Sequence, residues 1–220
     1  MQPINKIRGA VGAILLPLAL ATGMAGTAHG QLGTGRSGSS SLQYMDRAEG
    51  MRELASFGRC YGRNLRAQSL SLLATRPTSR EEAETYRRLF RGDNLSCLTA
   101  GTTMSAPLSY VRGAIAEGVY RSGMGVPASH LLPAPTVDQV RNLSDAARCY
   151  AAGHREQVLA LLPLTPGSRQ EYEAVLALID GFLACMPAGA RLNGSATLLR
   201  YRLIEGLMRL APAAPAAAGN

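Results

Sequence analysis

RCYGRNLRAQSLSLLATRPTSREEAE, residues 59–84, is written a second time as RCYAAGHREQVLALLPLTPGSRQEYE, residues 148–173. Aligned without a gap, 13 of the 26 positions are identical: the leading Arg, Cys and Tyr, then Arg66, Gln68, Leu70, Leu72, Leu73, Pro77, Ser79, Arg80, Glu82 and Glu84 with their counterparts. Ordinary composition yields only about one or two such matches. With one residue deleted the correspondence resumes. Cys97 falls on Cys185, and VRGAIAEGVYR (111–121) falls on LRYRLIEGLMR (199–209). The chain therefore reads as two copies of one unit, offset by 88 or 89 residues.

The unit reads as helices. Ser79 with Glu82 and Ser168 with Glu171 have capping-box spacing, each just after a proline. Apolar residues follow at helical intervals: Tyr86, Leu89 and Phe90 in one copy, Val175, Leu178, Ile179 and Phe182 in the other. Upstream, Asn64 and Gly153 align; both residue types accept the left-handed conformation that ends helices. Short apolar runs follow, Leu70-Leu72-Leu73 and Leu159-Leu161-Leu162, and the last helix of each copy carries a stripe, Val111-Ile115-Val119 or Leu199-Leu203-Leu207. Thr136 with Gln139 offers another capping box. No stretch alternates apolar and polar residues long enough for a strand. The expectation is an all-α chain of two tandem helical repeats of about four helices each, at 45–122 and 136–210, joined by a linker at 123–135. Residues 31–44 and 211–220 lack apolar periodicity and read as disordered tails. The stretch AGHREQVLALL resembles a tetratricopeptide-type helix pair, but the 88-residue period and the missing aromatic positions exclude that family.

Residues 1–30 have the layout of a secretory signal peptide: Lys6 and Arg8, then the apolar Ala10–Ala21, then small residues to Gly30. The apolar run is too short to span a bilayer, so no stable membrane span is expected after cleavage. Beyond Gly30 there is no lysine, and 21 arginines face 15 acids, a net of +6. Arg, Ala, Gly, Leu and Pro are what a GC-rich bacterial genome favours. No basic patch interleaved with aromatics or known nucleic-acid module is visible, and export removes nucleic acid as a partner. Four cysteines remain: Cys60, Cys97, Cys149 and Cys185. In an exported chain, disulfides are the default. Duplication selects Cys60–Cys97 and Cys149–Cys185, because a unit that once stood alone needs its own bond. Each closes a loop worth about 4 kcal/mol in the chain-entropy account. No CxxC points to a metal site or redox couple.

Chemistry is harder to find. His130 and His154 have no metal-ligand partner at i+4, and no GxSxG, GxxxxGK or SxxK occurs, so no catalytic residue, metal or cofactor is assigned. The repeated polar residues are the candidates, as structural ion pairs or as an anion-binding groove: Arg59, Arg148, Arg112, Arg200, Glu117 and Glu205. Glu117–Arg121 and Glu205–Arg209 are i,i+4 pairs. On a helical wheel Arg112 and Arg200 fall at the boundary between core and solvent. Three sequons, at Asn94, Asn142 and Asn193, could carry glycans in a eukaryotic chain; the composition reads as bacterial, where such triplets carry no weight. The expected role is a non-enzymatic binding or scaffolding module of the cell envelope in the periplasm, with a protein or envelope component as partner. The alternatives are an envelope-polymer hydrolase with Glu117 or Glu205 as acid, and a binder of an anionic small molecule or lipid through Arg112 and Arg200.

Overall fold

A computed structural model describes residues 47–90, 97, 106–123, 126–192 and 194–211. The expected signal peptide at 1–30 and the expected tails at 31–44 and from 212 lie outside the described residues, as do Asn94 and Asn193. Nine α-helices are present among them: α1 (Arg47–Asn64), α2 (Arg66–Ala74), α3 (Arg80–Leu89), α4 (Leu108–Arg121), α5 (Leu143–Gly153), α6 (Arg155–Leu159), α7 (Arg169–Leu176), α8 (Ile179–Leu183) and α9 (Ala196–Arg209). The described residues contain no strand, only a single parallel bridge between Leu132 and Leu210. The second set has five helices because bonding shortens to i−3 between α7 and α8, where the Leu178 N–H donates to the Val175 carbonyl at 3.1 Å.

Helix starts follow the sequence signals, with one change in detail. Ser79 Oγ accepts from the Glu82 N–H and Ser168 Oγ from the Glu171 N–H, both at 3.1 Å. The glutamates do not return to the N-cap N–H. Glu82 Oε2 accepts from the Thr78 N–H at 2.6 Å, and Glu171 Oε2 from the Gly167 N–H at 2.7 Å, one residue further upstream. Thr78 and Gly167 reach this position with φ of 63° and 79°, in the left-handed region. There a β-branched residue is strained and glycine is not. Asn64 and Gly153, expected to be left-handed, are not. The turn falls one residue later, at Leu65 (φ −122°, ψ 44°) and His154 (φ −131°, ψ 37°), so the chain bends without a left-handed residue.

Two apolar cores form. One gathers Leu54, Phe57, Tyr61, Leu72, Tyr86, Leu89 and Ile115, with Phe90 ringed by the Phe57, Tyr61 and Tyr86 rings at 5.9–6.0 Å. The other gathers Ala146, Ala147, Tyr150, Val158, Val175, Phe182 and Leu203. Burying each such aliphatic or aromatic side chain is worth about 1.5–3 kcal/mol. α1 lies directly on α4: a Cβ placed on Gly118 would sit 1.9 Å from the Gly58 carbonyl oxygen, so only glycine permits this backbone approach. α5 lies on α9 through Ala147 and Gly206. α4 and α9 in turn pack on each other, and both are enclosed on every side: residues 111–119 and 199–208 are all buried. The disulfides are Cys60–Cys97 and Cys149–Cys185, separated by 37 and 36 residues. The stretch read as a plain linker is partly ordered. Ala128–His130 form a 3₁₀ turn, and Leu132 donates to the Arg209 carbonyl at 2.7 Å while its own carbonyl accepts from Ala211 at 2.9 Å. The Thr136–Gln139 box closes a 3₁₀ turn, whereas α5 itself is capped by Asn142, whose Oδ1 accepts from the Ser144 and Asp145 N–H groups.

The left-handed positions make opposite demands. Thr78→Gly relieves steric strain, partly offset by the entropy glycine adds to the unfolded chain, and is expected to raise stability by about 1 kcal/mol in urea titration. Gly167→Ala is expected to lower it by more than about 1 kcal/mol, because its Cβ would also meet Ala48 Cα at 2.8 Å.

Candidate functional site

The wheel places Arg112 and Arg200 at a core boundary; the structure puts both side chains fully inside, at 0% exposure. The wheel fails because it assumes one buried stripe, and α4 and α9 have no solvent face at mid-helix. Each guanidinium is correspondingly well supplied with acceptors. Arg112 Nε donates to Glu205 Oε1 at 2.8 Å and Nη1 to Glu82 Oε1 at 2.9 Å. Its remaining N–H groups reach the carbonyls of Leu72 (3.0 Å), Leu73 (2.9 Å) and Thr75 (3.1 Å). Those carbonyls belong to the end of α2, where backbone acceptors are left over and the helix dipole is negative. Arg112 thus closes the α2–α3 turn from below, with Glu82 on the other side of it at the start of α3.

Arg200 repeats the pattern. Nε and Nη2 donate to Glu117 Oε2 and Oε1 at 3.0 and 2.8 Å, a two-pronged contact. Nη1 donates to the Leu164 carbonyl at 2.8 Å and to Glu171 Oε1 at 3.3 Å, and Nη2 to the Leu162 carbonyl at 3.2 Å. Arg112 therefore pairs with Glu205 of α9 while Arg200 pairs with Glu117 of α4. The i,i+4 partners are present as well, Arg121–Glu117 at 2.7 Å and Arg209–Glu205 at 3.8 Å, so each buried carboxylate is shared between its own helix and the opposite one. Arg202 adds a further contact to Glu205 Oε2 at 3.0 Å, and Thr197 Oγ1 donates to Glu171 at 2.7 Å.

Burial by itself would raise the Glu205 carboxyl. The charges of Arg112, then Arg202, with a hydrogen bond from Arg112, outweigh it and hold the group below its ordinary value of 4.5. A carboxyl so held is an anion near neutrality and has no proton to give as a general acid. The donors of Arg112 and Arg200 face carboxylates and carbonyls rather than an opening. Of the other candidates, Arg59 is exposed on α1, and Arg148 donates to Asp145 Oδ1 at 3.0 Å. His130 lies in the 3₁₀ turn; His154 stacks on Tyr150 with ring centres 4.3 Å apart. No group of three or more His, Cys, Asp or Glu suited to a metal ion occurs among the described residues.

One concavity was not foreseen. A groove of about 200 Å³ opens between α7, the start of α5 and the start of α9, lined by Leu143, Tyr172, Leu176, Leu192 and Leu198. Tyr172 and Leu176 are 54% and 45% exposed beside it. The sequence signal was there: Tyr172 and Leu176 lie four residues apart on α7, beside the buried Val175 that also lines the groove. Comparison with known protein families, curated protein sequences and solved structures finds no match to this chain.

The Glu205 environment fixes the sign of an acid transition. A carboxyl whose folded pKa lies below its unfolded value stabilises the fold above the unfolded pKa and loses that contribution as pH falls through the folded one. The urea midpoint is expected to be flat from pH 7 to about 5 and to fall below about 4.5, with Glu205→Gln less stable at pH 7 and less sensitive to acid. A midpoint that rises toward pH 3 would contradict this assignment.

Proposed function

We propose that the chain is an exported, periplasmic protein made of two tandem copies of one helical unit, acting as a non-enzymatic binding or scaffolding module of the cell envelope. The observation that carries this reading is the reciprocal pairing of Arg112 with Glu205 and Arg200 with Glu117. These residues are sequence counterparts at an offset of 88, so each copy offers the other the same pair, as the subunits of a twofold dimer do. The polar residues that duplication has kept are thereby committed to holding the copies together, and the ionised state of Glu205 speaks against the hydrolase reading. The saturated donors of Arg112 and Arg200 speak against the anion groove. Two disulfides agree with an oxidising compartment. No helix among the described residues is long and apolar enough to cross a membrane.

In this reading, contact with an envelope protein or component falls to the groove beside Tyr172 and Leu176. An exposed apolar rim of this kind is what partner surfaces use. The expected result is that immobilised chain retains one partner from periplasmic extract and that Leu176→Asp loses at least tenfold of it, about 1.4 kcal/mol, with its thermal midpoint unchanged. Turnover of an envelope polymer by the purified chain, undiminished in Leu176→Asp, would contradict the reading.

A further inference from the structure

Within the α4–α9 contact, the Gly113 backbone lies against the Tyr201 side chain. A Cβ on Gly113 would lie 2.2 Å from Tyr201 Cβ and 2.7 Å from its Cγ. These two residues are themselves sequence counterparts, the third position of VRG and of LRY. A residue that meets its own counterpart lies on a twofold axis. At that axis the copies differ as strongly as two residues can: no side chain on one helix, and a fully buried tyrosine on the other.

The charges that pair across the axis are alike, and the extra charge on α9, Arg202, is paired within its own helix to Glu205. α4 offers Arg112 and Glu117, and α9 offers Arg200 and Glu205, in the same order at the same spacing. By charge alone, α4 would pair with another α4, or α9 with another α9, as well as with each other. Shape decides. Two tyrosines cannot share the space in which Gly113 admits Tyr201, and two glycines would leave it empty. We propose that Gly113 against Tyr201 is a specificity lock: it makes the α4–α9 seam a self-recognition surface that accepts only the unlike half, from the same chain or from a second copy of it. The proposal rests on reading the chain as a duplicated unit.

Exchange of halves between two chains is open to this architecture. Each disulfide stays within its own half. Leu132 is bonded to the end of α9 and travels with the C-terminal half. Only the backbone between Arg121 and Leu132 joins the halves, a reach of up to roughly 35 Å. A dimer formed by exchange remakes every contact between halves, including the Tyr110 Oη–Ser195 Oγ bond of 2.7 Å. It contains two α4–α9 seams and is closed, so it does not grow further.

The lock is tested with Gly113→Tyr, Tyr201→Gly and the double variant that exchanges the two residues, unfolded in urea with disulfides intact and refolded. Gly113→Tyr alone is expected to lose roughly 10 °C of midpoint through overpacking. The exchange variant is expected to return to within about 3 °C of the natural chain. Gly113→Tyr refolded with Tyr201→Gly is expected to give a 1:1 dimer by light scattering with a restored midpoint. In that dimer each seam again sets one tyrosine against one glycine. Neither variant alone gives this species. An exchange variant as unstable as Gly113→Tyr, or a mixture that remains monomeric, overturns the lock. Additive effects at either the Arg112–Glu205 or the Arg200–Glu117 pair would instead overturn the reading of two reciprocally paired copies, so the two failures are distinguishable.

Discussion

A guanidinium with no exposure to water is the constraint around which this molecule is arranged. Arg112 carries a charge that cannot be neutralised by losing its proton, since neighbouring Glu205 and Glu82 raise its pKa against the effect of burial. Such a group is tolerated inside a protein only when its donors find acceptors. The acceptors come from three places at once: the last carbonyls of α2, the first-turn glutamate of α3, and a glutamate of α9. That requirement accounts for the α2–α3 turn, for the left-handed backbone at Thr78 that hands its N–H to Glu82, and for the central place of α4. Arg200 imposes the same conditions on the turn after α6, on α7 and on α4.

The arrangement is better understood as specificity than as strength. Taking two ions out of water costs several kcal/mol per ion, which their attraction roughly offsets, whereas removing one partner strands the other at about 3–5 kcal/mol. Apolar burial in the two cores supplies the stability; the ion pairs fix the register at which α4 and α9 meet. A hydrophobic α4–α9 contact could slide or rotate by a turn. One that must match Arg112 to Glu205 and Arg200 to Glu117 together cannot. The disulfides act differently: each limits the unfolded chain within one half and places no restriction on how the halves meet.

Much of this was legible in the sequence, and the rest was hidden for identifiable reasons. The helical character, the serine caps at Ser79 and Ser168, the apolar stripes of α4 and α9 and both disulfides depend on local spacing or on the repeat itself. The burial of Arg112 and Arg200 does not, because it depends on what covers a helix after all the others have packed. The hint available was that Arg112, Glu117, Gly118 and Arg121 recur unchanged in a segment where most neighbours differ. Asn64 and Gly153 misled because residue type marks where a left-handed turn is allowed, not where one occurs. Thr78 was invisible for the converse reason. The groove beside Tyr172 escaped because periodicity finds faces that are buried, and this one is exposed.

The central claim, that two reciprocal buried ion pairs join the halves, is tested most directly by double-mutant cycles at both pairs, read by urea unfolding at pH 7. Arg112→Met with Glu205→Leu and Arg200→Met with Glu117→Leu are expected to be strongly non-additive, each double variant recovering about 2–3 kcal/mol relative to the sum of its singles. Additive effects at either pair would contradict the account.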